Sequence, residues 1–530
     1  MKKNMIKQTI VALMITGTLV SCTKKLDLLP TNDVTAETVY STVAGYKQAA
    51  GKVYGAFALT GNQGPAGDDN TKDIKGIDEG TSDFLRLFWK AQELSTDEAV
   101  IGWGDVGIQD FHNMNWSASN PFLKGLYYRS LYQVTLANDF IRQSADDKLS
   151  SRGITGTDAD NIRKFRAEAR FLRAYQYWVL LDLFGSVPLV TDADVIGVTV
   201  PKQASRTELF NYVESELKAI DGQLAAPKSN EYGRADQAAD WALLARLYLN
   251  AQVYTGTAKY TEAITYASKV IGAGYSLVTN YPWLMLADNN LNTNEFIMTI
   301  NYDGLHTQSY GGSTFLVHAA VGGSESASQF GIGGGWGGAR TTKNLVNLFP
   351  DATGAADKRS QFYTNGQNLE IKDISAFTDG YAVTKYRNVT RSGAQGQSPD
   401  FCDVDFPIFR LPEMYLIYAE AVLRGGSGGN LVTALGYINA LRARAYGNAT
   451  GAVATIDLNF ILDERARELY WEGFRRTDLV RYGKFTDASY LWPFKGGVAG
   501  GKGVESFRNI YPIPSDDITA NPTLKQNTGY

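Results

Sequence analysis

Only 2 cysteines and 3 histidines occur in 530 residues, and this scarcity excludes two classes at once. Two thiols cannot make the disulfide framework of a small secreted scaffold. His112, His306 and His318 show no metal-ligand spacing, so neither a zinc site nor a histidine-based triad is legible. Excess positive charge is also missing. The 51 Lys and Arg against 55 Asp and Glu leave a net charge of -4, with no Lys/Arg cluster interleaved with aromatics, which argues against nucleic acid as a partner. No stretch after the first 22 residues offers ~18 consecutive apolar side chains, so no membrane-spanning helix is expected in the body of the chain.

What is present is enough for a packed core: 44% hydrophobic and 20% charged residues. Aromatics reach 12%, with 30 Tyr and 9 Trp, which leaves rings for a recognition surface as well as a core. The chain begins with Lys2, Lys3 and Lys7, followed by an apolar stretch over residues 10–20. That stretch is too short to span ~30 Å of hydrocarbon and reads as an export signal. It closes with Leu19-Val20-Ser21-Cys22, which resembles the lipobox at which bacteria acylate a cysteine and cleave before it. Residues 1–21 are thus expected to be a signal peptide and Cys22 a lipidated first residue. Loss of the three lysines would take the net charge from -4 to -7. Cys402 would then be the one remaining thiol, and the lipid the sole membrane attachment.

Helical periodicity dominates the body. Residues 160–184 place Ile162, Phe165, Ala169, Leu172, Val179 and Leu183 mostly three or four apart, and Gly185 and Pro188 stop the pattern. Ser205 and Glu208 form a capping box for the next helix. Residues 241–248 match the first helix of a tetratricopeptide repeat, with Ala245 in place of Gly, and residues 260–271 supply the second. Residues 411–423 and 431–445, joined by a glycine-rich linker, form another pair, and 461–480 predicts one charged amphipathic helix. The fold class is mainly α: tetratricopeptide-like hairpins at irregular spacing, not a regular solenoid. Between 301 and 398 the texture changes to Gly, Ser, Thr and isolated aromatics, with short strands expected at 296–300 and 381–386. A second such insertion covers 61–79. Loops of this length in a compact protein are usually functional.

Several catalytic patterns match in letters and fail in context. The G-x-S-x-G at 425–429 joins two helices and follows no strand, so it is a linker and not a nucleophile elbow. The G-x-G-x-x-G at 333–338 lacks a strand-helix unit and reads as a mount for Trp336. The G-x-x-x-x-G-K at 496–502 has Gly503 where Ser or Thr should hold magnesium. Carboxylates are abundant without a local pattern naming an acid and a nucleophile. Asp288 opens an alternation of Asp and Asn that lacks the Gly and Glu of a calcium loop and reads first as an Asx-rich turn. Together with Asp403 and Asp405 it also offers hard oxygen ligands for one structural Ca2+.

Aromatic residues beside glycines carry the remaining signal. Trp103 lies in Gly102-Trp103-Gly104, Tyr310 precedes Gly311 and Gly312, and Trp336 lies between Gly335 and Gly337. A glycine removes the neighbouring side chain and leaves a ring face open to stack on the C–H face of a sugar. Asp78 and Arg86 can supply polar partners for hydroxyls.

With these residues assembled, the chain resembles the SusD/RagB family of surface lipoproteins from glycan-foraging Gram-negative bacteria. The resemblance runs over nearly the whole chain. It rests on the lipobox at Cys22, E-L-S-T-D-E at 93–98, A-E-A-R-F-L-R-A at 167–174 with F-G-S-V-P at 184–188, and Ala419-Glu420. It continues through E-R-A-R-E-L at 464–469, E-G-F-R at 472–475 with D-L-V-R at 478–481, Y-P-I-P at 511–514 and Q-N-T-G-Y at 526–530. Within the family the chain is most similar to the starch-binding type, through G-I-D-E-G at 76–80, T-D-E at 96–98, Y-G-G-S-T at 310–314 and L-W-P-F-K-G at 491–496.

The resemblance implies one domain over 22–530, without enzymatic activity or a required cofactor, that captures starch-like or other oligosaccharide. It also implies a lipid anchor in the outer membrane facing the cell exterior, and docking onto a TonB-dependent transporter. It maps glycan contact onto Asp78, Arg86, Trp103, Tyr310 and Trp336. Two positions depart from the pattern. Ile101 stands where a second Trp can occur, and Val106 where an amide is found, so a shorter stacking arc is expected. A surface glycan hydrolase and a peptide-capturing member of the same family remain the alternatives.

If Cys22 carries the anchor, the chain partitions with membranes and Cys22→Ala releases it into the soluble fraction. Unchanged membrane retention of the variant in a fractionation would contradict the anchor.

Overall fold

The computed structural model describes residues 36–61, 72–194, 197 and 200–530. Residues 1–35, which include the expected export segment and Cys22, lie outside the described residues. The helices of seven residues or more begin with α1 (Val43–Gly55), α2 (Phe84–Glu93), α3 (Pro121–Gln143), α4 (Gly156–Leu183), α5 (Arg206–Ile220) and α6 (Gln237–Leu249). They continue with α7 (Tyr260–Ile271), α8 (Gly312–Ala319), α9 (Leu411–Leu423), α10 (Leu431–Tyr446), α11 (Leu458–Leu469) and α12 (Arg475–Arg481). The strands that matter for the site are β1 (Val100–Ile101), β2 (Phe296–Ile300), β3 (Ala339–Arg340) and β4 (Phe406–Arg410).

The fold is mainly helical, and its hairpins follow the sequence periodicity. α3 packs on α4, α4 on α5, α6 on α7, α7 on α9 and α9 on α10, so neighbouring pairs share faces. Each pair alone could not bury its apolar stripe, and stacking supplies the missing partner. The Ser205 capping box forms as expected, its hydroxyl accepting from Glu208 N while Glu208 accepts from Ser205 N. Gly185 ends the turn after α4 at φ 75°, a conformation glycine adopts without Cβ strain. β2 pairs antiparallel with β4, and β1 with β3. The strand expected at 381–386 is shorter, Ala382–Val383 alone.

One expected helix is two. The amphipathic pattern over 461–480 breaks between α11 and α12, where Trp471 takes φ 65° and Gly473 φ 83°. The break is stabilised from outside: Glu93 Oε1 accepts from Gly473 N (2.7 Å) and Phe474 N (3.2 Å), while the Trp471 indole donates to the Glu98 carbonyl (3.0 Å). Those long-range partners satisfy the backbone groups that a helix would have used.

The same segment holds a buried ionic cluster. Glu464 and Glu468 are four residues apart on one face of α11, and Glu472 follows just beyond its end. Arg359 bridges Glu464 and Glu468, Arg410 bridges Glu468 and Glu472, and Lys385 adds a contact to Glu472. Burial alone would raise these carboxyls, yet the guanidinium groups of Arg444, Arg410 and Arg359 hold Glu468 down at about 2, and Arg359, Arg467 and Arg442 do the same for Glu464. These carboxylates are structural counter-ions, and removing one partner would leave a buried charge uncompensated.

Glu93 and Glu98 behave oppositely. Burial pushes Glu98 up to about 8, and raises Glu93 as well, with the charge of Glu98 adding to it. A carboxyl whose folded pKa exceeds its unfolded value near 4.5 retains its proton in the folded state after the unfolded chain has lost it. Its contribution is therefore complete below about pH 4.5 and falls as pH rises toward 8, by roughly 1.4 kcal/mol per pH unit for one proton. Between pH 5 and 8 the unfolding free energy of the wild type should fall relative to that of Glu98→Gln, because the neutral amide mimics the protonated carboxyl and loses this slope. Parallel curves would contradict the assignment.

Candidate ligand site

The site forms where the helical scaffold meets the loop-rich lobe, and its first element is the N-terminus of α2. Asp83 caps that helix, accepting from Arg86 N at 2.9 Å. The same buried carboxylate accepts from Gly312 N (3.0 Å) and Ser309 Oγ (3.3 Å), which pins the Tyr310 turn against the scaffold. The approach is too close for a side chain: a Cβ on Gly311 would lie 2.0 Å from the Asp83 carboxyl carbon. Gly312, at φ 57°, starts α8 beside the Tyr302 ring. Burial raises the Asp83 carboxyl while the backbone donors pull it back.

Arg86 emerges from α2 into the aromatic arc. Its Nη1 donates to the Tyr310 carbonyl (3.2 Å), and its guanidinium lies 5.0 Å from the Phe315 ring centroid and 5.8 Å from that of Trp103. Asp78 sits in an exposed turn, where its Oδ1 accepts from Gly80 N (2.9 Å). A Cβ on Gly80 would come within 3.2 Å of both Asp78 Oδ1 and Arg86 Nη1, so the two polar groups flank one backbone carbon.

Trp336 is held by backbone. Its N donates to the His318 carbonyl (2.7 Å), Gly337 N to Val321 O (2.9 Å) and Gly338 N to Ala319 O (2.9 Å). Beneath it the His318 ring stacks at 4.9 Å and 27°. His318 Nδ1 faces the Gly334 carbonyl at 2.7 Å, and since a carbonyl only accepts, Nδ1 carries the proton. Burial lowers the pKa of this imidazole, which favours the neutral ring. Trp103 lies 6.3 Å from Trp336 at 48°, with its indole N–H directed to the Trp336 carbonyl (3.4 Å). Tyr310 closes the arc 6.5 Å from Trp336 and rests on Phe401 at 5.5 Å.

All five residues singled out from the sequence, Asp78, Arg86, Trp103, Tyr310 and Trp336, thus come together around one surface. Tyr310 is 41% exposed, whereas Trp103 and Trp336 are half-buried against the core. The glycines do more than open ring faces. A Cβ on Gly338 would lie 2.3 Å from the Trp103 ring, so glycine there lets the Trp336 loop pass directly beneath its neighbour. Ile101 is wholly buried in β1 and supplies nothing to the surface, while Val106 is 85% exposed. The rings that support the arc, Phe315, His318 and Phe401, have no local pattern to announce them. Asp83 did have one, an acidic residue directly before an apolar helical run.

The expected calcium site is not assembled. Asp288 accepts from Arg391 N through both oxygens (3.1 Å each), Asp403 from Gly304 N and Gln397 N (both 2.7 Å), and Asp405 from Tyr302 N (2.7 Å) and the Tyr232 hydroxyl (2.8 Å). The two segments do meet, but through Asn289, whose amide donates to Asp405 O and accepts from Asp405 N. Among the described residues no group of three or more His, Cys, Asp or Glu side chains is placed to hold a metal ion.

Two family models match this chain: one described as the SusD family over residues 370–530, and one described as starch-binding associating with outer membrane over 88–249. The chain is 37% identical to the starch-binding protein SusD of Bacteroides thetaiotaomicron, with all of both chains covered. Surface glycan-binding protein A of Bacteroides fluxus is similar in structure, with a TM-score of 0.71 at 22% identity over 92% of this chain and 100% of that one. Surface glycan-binding protein A of Bacteroides thetaiotaomicron in complex with laminarihexaose gives 0.68 at 22% identity, over 91% and 99%.

Half-burial sets the stability cost of removing a ring. Trp103→Ala and Trp336→Ala should each cost about 1–2 kcal/mol of unfolding free energy. The wholly buried Trp89 should cost ~3–5 when truncated. Losses at Trp103 or Trp336 as large as that at Trp89, in chemical denaturation, would show them to be core residues.

Proposed function

Because the chain belongs to the SusD family, we propose that it is a glycan-capturing protein of the outer-membrane surface, which holds starch-like oligosaccharide on the Trp103–Trp336–Tyr310 arc. One observation carries the reading: three aromatic rings mounted at mutual tilts, with Arg86 and Asp78 beside them, in a chain alike over its full length to a starch-binding relative. Tilted rings suit a curved glucan, since each can take the apolar face of one sugar while guanidinium and carboxylate take hydroxyls. Capture is the whole task. The carboxylate under the arc, Asp83, is buried and occupied by backbone donors, whereas hydrolysis needs two carboxyls flanking the glycosidic bond. The captured chain is handed to a TonB-dependent transporter, and the Cys22 lipid retains the protein beside it.

Loss of several tens of Å2 of ring contact costs about 1–2 kcal/mol, roughly ten-fold in affinity or more. Titration of maltoheptaose should therefore show that drop for Trp336→Ala, with stronger retention of polymeric starch through repeated sites on one chain. No reducing ends should be released on long incubation, and a pull-down of the anchored chain in mild detergent should recover a barrel protein. Wild-type affinity in the Trp103→Ala, Trp336→Ala double variant would place the site elsewhere, and turnover would favour a hydrolase.

A further inference from the structure

Arg340, wholly buried in β3, directs its guanidinium at four carbonyl oxygens: Gly338 (2.8 Å), Ile374 (2.6 Å), Ala376 (3.0 Å) and Asp379 (2.9 Å). One cation thereby joins the loop that carries Trp336 to a second loop, residues 373–379. The second loop flanks the arc on two sides. A Cβ on Gly102, next to Trp103, would lie 2.6 Å from the Ile374 carbonyl, and one on Gly337, next to Trp336, 3.9 Å from the Phe377 ring.

Phe377 is the aromatic residue of that loop, and its packing is unusual for a phenylalanine. It is half-buried, yet it does not pack against the hydrophobic core. Its neighbours are glycines and a guanidinium: added Cβ atoms on Gly322 and Gly323 would lie 2.9 Å and 3.5 Å from the ring, and Arg340 is 5.8 Å from its centroid. A core role does not explain the ring, because a collar of glycine backbone offers little apolar area to bury. The collar does place the ring on the same backbone as Trp336. Thr378 lies exposed beside it. Because Arg340 fixes both loops together, a ligand crossing from one to the other would meet a preorganised surface and pay little ordering entropy.

We propose that Phe377 is a further stacking residue of the ligand site, taking the sugar ring next beyond the one on Trp336, so that the 373–379 loop sets the preferred oligosaccharide length. Lengthening of the arc here would offset the missing ring at Ile101. The proposal rests on the glycan-capture reading, and its test separates the two.

The test is titration of maltotriose and maltoheptaose against the wild type, Phe377→Ala, Phe377→Leu and Trp336→Ala, with a melting temperature for each. Leucine retains apolar bulk on the glycine collar but removes the flat face. Both Phe377 variants should bind maltoheptaose about five-fold more weakly, as expected for a few tens of Å2 of lost contact, and maltotriose less than two-fold more weakly. Phe377→Leu should do so at the wild-type melting temperature. Unchanged maltoheptaose affinity in both Phe377 variants, with loss in Trp336→Ala, would overturn the proposal and leave the capture reading intact. Equal loss for both sugars in Phe377→Ala, restored by Leu along with the melting temperature, would show a structural role and also overturn it. A wild type that binds neither sugar, or a Trp336→Ala that binds both as the wild type does, would overturn the reading and the proposal together.

Discussion

The buried carboxylate of Asp83 is the point on which the site depends. It caps α2 of the scaffold through Oδ1, which also accepts from Gly312 N of the lobe, while its Oδ2 accepts from Ser309 Oγ. Removal of the carboxylate would take away the acceptor that Arg86 N and Gly312 N share across the two parts, and a buried donor that loses its acceptor costs ~1–3 kcal/mol. The tie also sets where Tyr310 sits, because its carbonyl must reach Arg86. Arg86 in turn spans the Phe315 and Trp103 rings, so the register of the arc is inherited from one N-cap. Scaffold and ligand surface are thereby one mechanical unit, though 220 and more residues separate the partners in sequence.

A second constraint concerns how rings can be both firm and available. Trp103 and Trp336 are half-buried, each held on one side by protein: Trp103 by Phe315 and the Gly338 backbone, Trp336 by the His318 ring. The neutral imidazole adds a hydrogen bond to Gly334, so the glycine-rich mount is not slack despite its composition. Glycine here serves close approach as much as conformational freedom. The result is a surface whose apolar faces are fixed in advance, which would spare ordering entropy for the glycan proposed to bind there.

The hairpins were legible because their evidence is local: the capping box at Ser205, the 241–248 pattern and the 260–271 partner all depend on residues a few positions apart. The five residues that converge on one surface were singled out through the resemblance together with the pairing of rings with glycines. What the sequence concealed is non-local. The break between α11 and α12 is imposed by Glu93 and Glu98, some 380 residues earlier, against a pattern that reads as continuous helix. α8 is buried all round and eight residues long, too short for an amphipathic stripe to show. The surroundings of Asp288, Asp403 and Asp405 were hidden for a related reason: the sequence cannot show that backbone amides donate to each of these carboxylates and that Asn289 links the two segments. Phe377 carries no local signal, because nothing near it in sequence tells of Arg340 or the glycine collar.

We propose that one tilted aromatic surface receives the glycan. A crystal structure of the protein grown with maltoheptaose tests it most directly. Sugar rings should lie face-on against Trp336 and Trp103, with hydroxyls within hydrogen-bond distance of Arg86 and Asp78. Oligosaccharide bound elsewhere, for example in the apolar cavity lined by Tyr54, Phe165, Arg234 and Ile300, with the arc left to water, would contradict it.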